Sequence, residues 1–505
     1  MILGGLDDAQ MKNETDLSRS IERRLGALPK DRLSTPRIIG FMLYCTWVLA
    51  VFYSTFLYQS GIDFRGNLYL NLFTSLTALT LILGLFPKLV KHADKWVLSK
   101  RVIYPSTAVM ASATAVLAFA NNESAIGFAL IITSGIITGG TSGVLFLGWF
   151  RVFSDAGTRT ALVEVALSWA LAALICIVLC FLPAIASTVL LLGATVASGL
   201  LLRRSAMNRP SRPLPARAHR LHKRTRKMFG RGLFATLSFG VVAGFSDVIS
   251  GFRYVAIPES YGVFLLMGAA IAASMALAIA LWSAGHNAII YTYRLTFMLV
   301  ALGCMSTPFM QQTGNLSNII IFGGYVCFSI VLMSICIDIS NYFDVPATKA
   351  FGYAFCAMYA GEVLGSGAGH LLTMFAPNQN VFSIVSFLLT GAVLFANLFM
   401  FTEKDLIETS IGEMTDNDTC AESASTPFDD NSEAAARAIA QRYKLTARES
   451  EVLPLIIKGR TIARIQEELF ISQGTVSTHT RHIYQKVGVK NRQELLDLID
   501  EMKDQ

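Results

Sequence analysis

The stretch that decides how this chain is read is Gln473 to Val487, QGTVSTHTRHIYQKV. Val476, Thr480, Ile483 and Val487 recur at the spacing of one helix face and are placed toward a core. Gly474, Thr478, Arg481 and Gln485 fall on the opposite side, with Ser477 and His482 flanking them. That side is small, polar and basic. It predicts a helix that enters a DNA major groove without clash and hydrogen-bonds to base edges.

Working outward, residues 445 to 501 read as four short helices. Thr446 and Glu449 form a capping box, in which the hydroxyl takes a free backbone N–H and the carboxylate reaches back. That helix contains Pro454, expected to kink it, runs to Lys458 and stops at Gly459. Thr461 opens a second helix with Ile462, Ile465 and Leu469 as its apolar positions. Ile471-Ser472 makes the turn into the stretch quoted above, and Gly488 ends it. Asn491 and Glu494 then start a fourth helix with Leu495, Leu496, Leu498 and Ile499. Two helices joined by a short turn, the second with a polar outer face, describe a helix-turn-helix. From Lys458 to Arg492 there are seven Lys or Arg against Glu467 and Glu468, the local basic footprint that phosphate contact requires.

LTARESEVL (Leu445–Leu453) and FISQGTVSTHTRHIYQKVGVKNRQEL (Phe470–Leu495) resemble the LuxR-type DNA-binding domain. The resemblance implies a domain that binds double-stranded promoter DNA as a homodimer, with Arg492 to Met502 forming much of the dimer contact. It places base reading on Ser477, Thr478 and Arg481. Thr475, His479, His482, Arg460, Arg464, Lys486 and Lys490 complete the expected DNA-binding set. There are two departures. The family usually carries a lysine where Ser477 stands, and SNKEIA where Thr461 to Gln466 reads TIARIQ. Arg460, Arg464 and Arg481 are expected to replace the missing phosphate charge, so the preferred DNA sequence need not be the family's usual one.

The rest of the chain is of another kind. Of 505 residues, 53% are hydrophobic and only 15% charged, where soluble domains carry roughly a quarter charged. Residues 38 to 402 are nearly free of charge outside short loops. Runs of about 20 apolar residues predict twelve spans: 38–58, 68–89, 102–121, 125–150, 160–182, 184–202, 232–252, 261–285, 289–308, 317–337, 348–372 and 381–402. Lys and Arg set the orientation. The N-terminal tail (1–37), the second and fourth loops and the central loop (203–231), which alone holds eleven basic residues, fall on one side. The other side receives only Arg65 and Arg253. Both termini are therefore expected in the cytoplasm of a bacterium, with the chain multi-pass in its inner membrane.

Six spans, a long basic loop and six more spans resemble the major facilitator architecture. The resemblance rests on count and layout. The family's signature between spans two and three is not matched by GLFPKLVKHADK (Gly84–Lys95), which leaves transport activity open. The expected fold is thus all-α: a twelve-helix transmembrane bundle, six plus six, with a C-terminal four-helix LuxR-type helix-turn-helix domain.

Within the spans, Gly135, Gly139 and Gly143, and likewise Gly361, Gly365 and Gly369, repeat every four residues and read as close-packing faces. Charge at membrane depth is costly, so Glu362, Asp247, Glu164 and Arg294 are the ligand-sensing candidates. Glu362 stands near the middle of its span. Asp247 lies near the outer end of span seven, where Arg253 offers a neutralising charge. For Glu164, Arg294 and Asp338, a helix end with a snorkelling side chain accounts for the position. Seven of the eight cysteines lie in apolar segments and read as buried small hydrophobes. No metal or cofactor is expected.

Residues 403–432 carry nine acids among Ser, Thr and Asn and read as a disordered acidic linker. Roughly 40 flexible residues reach roughly 35 Å, so residues 433–505 could meet DNA beside the membrane. Leu17, Ile21 and Leu25 among Arg19, Arg23 and Arg24 suit a short helix on anionic lipid. There is no nucleotide loop of the GxxxxGK type, no receiver-like stretch and no histidine-kinase block, so the chain is read as not an enzyme. The expectation is a membrane-bound one-component transcription regulator answering a small-molecule ligand of unknown identity or a membrane signal. The alternative is a major-facilitator-like transporter with an attached regulatory domain.

Overall fold

A computed structural model of the chain describes residues 33–54, 56–58, 64–120, 124–207, 223–253, 258–283, 287–306, 316–342, 345–375, 384, 385, 388, 391, 431–443, 445–457, 460, 462–469, 473–489, 494–496 and 498, some side chains within these helices excepted. The N-terminal 32 residues, most of the central basic loop, nearly all of the twelfth expected span and the acidic linker up to Asp430 lie outside the described residues. The described helices fall in two compact units, Met1–Leu406 and Ile407–Gln505.

The first unit contains α1 (Thr35–Tyr53), α2 (Phe64–Leu89), α3 (Ala93–Trp96), α4 (Lys100–Leu117), α5 (Ala125–Phe153) and α6 (Thr158–Cys180). It continues with α7 (Ala184–Met207), α8 (Lys223–Arg253), α9 (Pro258–Trp282), α10 (Asn287–Ser306), α11 (Leu316–Tyr342) and α12 (Ala347–Phe375). Apart from α3, a single turn in the loop after α2, each of these matches one expected span, so eleven of the twelve are observed as helices. Nine are long and apolar enough to cross a membrane among the described residues. Of the other two, α4 opens on Lys100-Arg101 and α12 is rich in glycine and carries Glu362. Helices are the form such segments take because hydrocarbon offers no partner for backbone polar groups. The boundary expected at Pro183 holds: α6 ends at Cys180 and the Ser187 N–H bonds the Pro183 carbonyl. α10 runs unbroken through Arg294.

The packing divides α1–α7 from α8–α12. In the first half α1 packs on α6 and α7, and α5 on α2 and α4; in the second, α8 packs on α12 and α11 on α9 and α10. The halves meet through α2 against α12 and α6 against α9. Counted as spans these are pairs 2–11 and 5–8. Advancing each number by six exchanges the two pairs, the pattern of two equivalent halves related by a two-fold.

Glycine makes the tightest contacts. A Cβ at Gly139 would stand 2.1 Å from the Ser75 carbonyl oxygen on α2, and one at Gly361 2.1 Å from that of Leu237 on α8. Both four-residue glycine repeats are thus packing faces. Trp47, Trp149, Phe41, Phe150, Phe153 and Phe351 are fully buried, and the Trp47 indole N–H donates to Thr114 Oγ1 at 2.9 Å.

The second unit contains α13 (Asn431–Arg442), α14 (Ala447–Ile457), α15 (Ile462–Leu469) and α16 (Gln473–Val487). Its core is Ala436, Ile439, Val452, Leu453, Ile456, Ile457, Ile465, Val476, Ile483, Val487 and Leu495. The expected face of α16 is therefore the buried one. α14 continues through Pro454 to Ile457. Gly488 ends α16 with φ of 83°, a left-handed conformation that favours glycine, and the Gly488 and Val489 N–H groups both bond the Tyr484 carbonyl. α13 adds Ala436 and Ile439 to the core, so this unit begins before Leu445.

Candidate DNA interface and membrane-domain cavity

The capping box closes as its sequence requires. The Thr446 N–H donates to Glu449 Oε2 at 2.8 Å, and the Glu449 N–H to Thr446 Oγ1 at 3.4 Å. Glu449 does more than cap. Buried at 3% exposure, it also accepts Lys486 Nζ from α16 at 2.6 Å, and His482 Nδ1 lies 3.9 Å from its other oxygen. One carboxylate thus ties the start of α14 to the second half of α16. Burial works against its charge, but Lys486 and the Thr446 hydrogen bonds outweigh it and hold the carboxyl below the usual carboxylate range.

That depression has a pH consequence. The group contributes stability that is fully present above its unfolded pKa, about 4.3, and is lost as pH falls through the lower folded value. Urea melts of the second unit should show constant stability from neutral pH down to about 5, with a decline below. In Glu449→Gln the acid limb of that decline should shrink. Glu449→Ala should cost about 1–2 kcal/mol through loss of cap and bonds. An acid limb identical in Glu449→Gln and wild type would rule the linkage out.

Thr475 and Thr478 are exposed on one side of α16, opposite buried Val476 and Ile483. His479 and His482 are half-buried. Arg460 is exposed and 3.8 Å from Glu468. Lys486 is engaged by Glu449 rather than standing free for phosphate. The side chains of Ser477, Arg481, Arg464 and Lys490 lie outside the described residues, as does most of Arg492–Met502. The structure therefore brings Thr475 and Thr478 onto one exposed face and turns Lys486, with His482 near it, toward the domain's own carboxylate.

In the first unit, Asp247 on α8 and Glu362 on α12 line one cavity, together with Tyr53 of α1, Ala243 of α8 and Asn318, Ile321, Phe322 and Tyr325 of α11. Its centre has room for about one water-sized group. Tyr325 donates its hydroxyl to Glu362 Oε2 at 2.5 Å, and the Asn318 side chain hydrogen-bonds Asp247. The Tyr53 and Phe322 rings are 4.3 Å apart and tilted by 48°. The side chain of Arg253 lies outside the described residues.

The other two sensing candidates are elsewhere. Glu164, fully buried, receives Arg37 Nε and Nη2 at 2.7 Å each and the Ser34 N–H at 2.7 Å. It ties α1 to α6. Arg294 is exposed, with its guanidinium 6.0 Å from the centre of the Tyr291 ring.

Two contacts cross between the halves at the end that carries α3. Asp94 Oδ1 accepts from the Thr348 N–H at 2.9 Å and from Thr348 Oγ1 at 2.6 Å, while Oδ2 accepts from the Ala347 N–H at 3.2 Å. Arg151 Nε stands 3.5 Å from Asp94 Oδ2. Thr158 Oγ1, at the start of α6, donates to Asp338 on α11.

Residues 443–499 match the family model of bacterial regulatory proteins, luxR family. Over 53 residues the chain is 47% identical to the oxygen regulatory protein NreC of Staphylococcus aureus strains JH9 and USA300. That match covers 10% of this chain and 24% of NreC, so the chain spans about a quarter of the length of these relatives. The membrane portion shares its fold with a bacterial homologue of the iron transporter ferroportin in an outward-facing state, at a TM-score of 0.52 and 13% identity, over 75% of this chain and all of that one. It also shares it with the human organic anion transporter MFSD10, at 0.53 and 14%, over 74% of this chain and all of that one. The chain is a LuxR-type DNA-binding domain fused to a multi-pass membrane domain of major-facilitator-like fold.

Proposed function

We propose that the chain is a membrane-bound one-component transcription regulator. A small molecule or membrane signal enters through the cavity that holds Asp247 and Glu362 and shifts the bundle between two states. That shift controls whether two LuxR-type domains, joined through Arg492 to Met502, bind promoter DNA. A ligand drives this only if it binds the two states with different affinity. The observation that carries the reading is the union, on one chain, of an assembled LuxR-type core with a bundle that brings two carboxyl groups, buried Glu362 and half-buried Asp247, to a single cavity.

In this reading residues 1–37 form a cytoplasmic, lipid-touching tail, 38–402 the sensor, 403–432 the acidic tether and 433–505 the DNA-binding domain. Both termini face the cytoplasm of the bacterial inner membrane, where the DNA is. Thr475, Thr478, Ser477 and Arg481 read bases. Arg460, Arg464, Lys490, His479 and His482 lie along the phosphates, and Lys486 holds the helix in place. The chain has no catalytic task.

The test is DNA binding by residues 431–505, which carry their own core, on fragments upstream of neighbouring genes. Arg481→Ala should weaken specific binding by about 1–3 kcal/mol, and affinity should fall steeply with salt. Binding that is absent, or indifferent to salt, would sink the regulator reading. The shared fold with MFSD10 and the ferroportin homologue favours a second reading, a transporter that also regulates transcription. Counterflow of labelled solute in proteoliposomes decides it.

A further inference from the structure

We propose that the cavity between α1, α8, α11 and α12 binds a compact ammonium cation, either free ammonium or the protonated head of a small amine. The regulatory consequence rests on the sensor reading above; the binding itself does not.

Among the described residues the lining holds two carboxyl groups and no Lys, Arg or His. A buried carboxylate is costly unless paired, and elsewhere in the bundle this protein supplies the pair. Glu164 has the two-pronged Arg37, and Asp94 has a helix N-terminus with Arg151 beside it. Glu362 and Asp247 receive, among the described residues, neutral partners: the Tyr325 hydroxyl and the Asn318 side chain. A carboxylate has roughly four lone-pair sites, so both keep acceptor capacity toward the cavity. Among the described residues no cation stands on this lining, so a positive charge is left for whatever enters.

Size and walls narrow the class. An anion is refused by two carboxyl groups. A hard metal such as calcium takes about six to eight oxygen ligands, preferring carboxylates and carbonyls; of the oxygens on the lining, those of Tyr53 and Tyr325 are protonated phenols, and Tyr325 already donates to Glu362, so the set falls short of such a site. An ammonium nitrogen is of water size and suits a centre with room for about one water. Its N–H groups donate to the carboxylates, and the aromatic rings of Tyr53, Phe322 and Tyr325 offer the π faces that attract organic cations. The charged head is the part that fits the centre of the cavity.

The experiment is equilibrium binding of radiolabelled methylammonium to the full chain in lipid nanodiscs. Saturable binding, displaced by ammonium chloride and unaffected by equal sodium or potassium chloride, is expected. Glu362→Gln and Asp247→Asn should each weaken it by at least about tenfold, the loss of one charge-assisted hydrogen bond. Tyr325→Phe, which keeps the ring, should weaken it less. Leu364→Ala, on the exposed side of α12, should bind like wild type. Displacement by phenethylamine assigns the site to amine heads, and displacement by ammonium alone assigns it to free ammonium. No binding to monodisperse wild type, unchanged binding in Glu362→Gln, or equal displacement by sodium overturns the proposal. A promoter reporter separates the two readings. If methylammonium binds and output does not move, the sensor reading falls and the site stands. If nothing binds and Glu362→Gln still alters output, the reverse holds.

Discussion

Gly365→Leu is expected to leave little folded protein in the membrane. A Cβ at Gly365 would stand 2.0 Å from the Val241 carbonyl oxygen and 2.9 Å from the Phe245 backbone nitrogen, both on α8. The contact is reciprocal, because a Cβ at Gly240 would stand 2.0 Å from the Met358 carbonyl and one at Gly244 2.1 Å from that of Glu362. These neighbours are backbone, so no rotamer change relieves the clash, and real Cβ atoms essentially never approach closer than 3.0 Å. α8 and α12 must separate along a face where weak Cα–H···O contacts also contribute. Overpacking among side chains costs about 1–3 kcal/mol. With backbone as the obstacle the loss should exceed about 3 kcal/mol. The same two helices carry Asp247 and Glu362, so any folded remnant should have a distorted cavity. The control is Gly367→Leu on the same helix, where an added Cβ meets nothing within 4 Å. Size-exclusion of fluorescent fusions in detergent compares them, and equal monodisperse yield from the two variants would disprove the close packing.

The two glycine faces are legible in the sequence because a four-residue repeat is local. So are the spans, since an apolar run of about 20 residues matches the thickness of a bilayer and exceeds most buried core segments. α3 is not: four residues opened by His92 at φ of 56° carry no periodicity. The capping box is visible because its partners are three residues apart. The second bond of Glu449, to Lys486, joins residues 37 apart, and nothing near Lys486 distinguishes it from a lysine that meets phosphate. Glu362 and Asp247 are conspicuous as charges in apolar runs. Tyr53, Asn318 and Tyr325 are not, because single tyrosines and asparagines are common in such segments. Glu164 reads as a sensing candidate for the same reason as Glu362. Only the fold reveals that Arg37, 127 residues away, already satisfies it.

Asp94→Ala should move the balance between the two halves of the bundle. The first N–H groups of any helix lack intrahelical acceptors, and the positive end of the helix dipole favours an anion there. α12 has its first N–H groups, at Ala347 and Thr348, met by a carboxylate from the opposite half, with the Thr348 hydroxyl as a third donor. A hydrogen bond to a charged group contributes about 1.5–3 kcal/mol. Asp94 keeps 27% side-chain exposure, which reduces each, so a total near 3 kcal/mol is a fair expectation. That corresponds to a shift of about 100-fold in the ratio of states with and without the contact. Arg151→Gln should do far less, because its pairing with Asp94 is at 3.5 Å between partly exposed groups and is worth under about 1 kcal/mol. The bond from Thr158 to Asp338 remains in Asp94→Ala, so the variant should shift the population rather than unfold the bundle, and Asp94→Ala with Thr158→Ala should shift it further. Hydrogen exchange reads this directly. The amides of Ala347 and Thr348 should exchange about 100-fold faster in Asp94→Ala, while peptides from α5 and α6 stay protected. In the regulator reading the same variant should make promoter output less dependent on inducer, because α12 also carries Glu362 and its N-terminus is one of the places where the first half holds it. Protection at Ala347 and Thr348 equal to wild type would mean that the carboxylate caps the helix without holding the halves together.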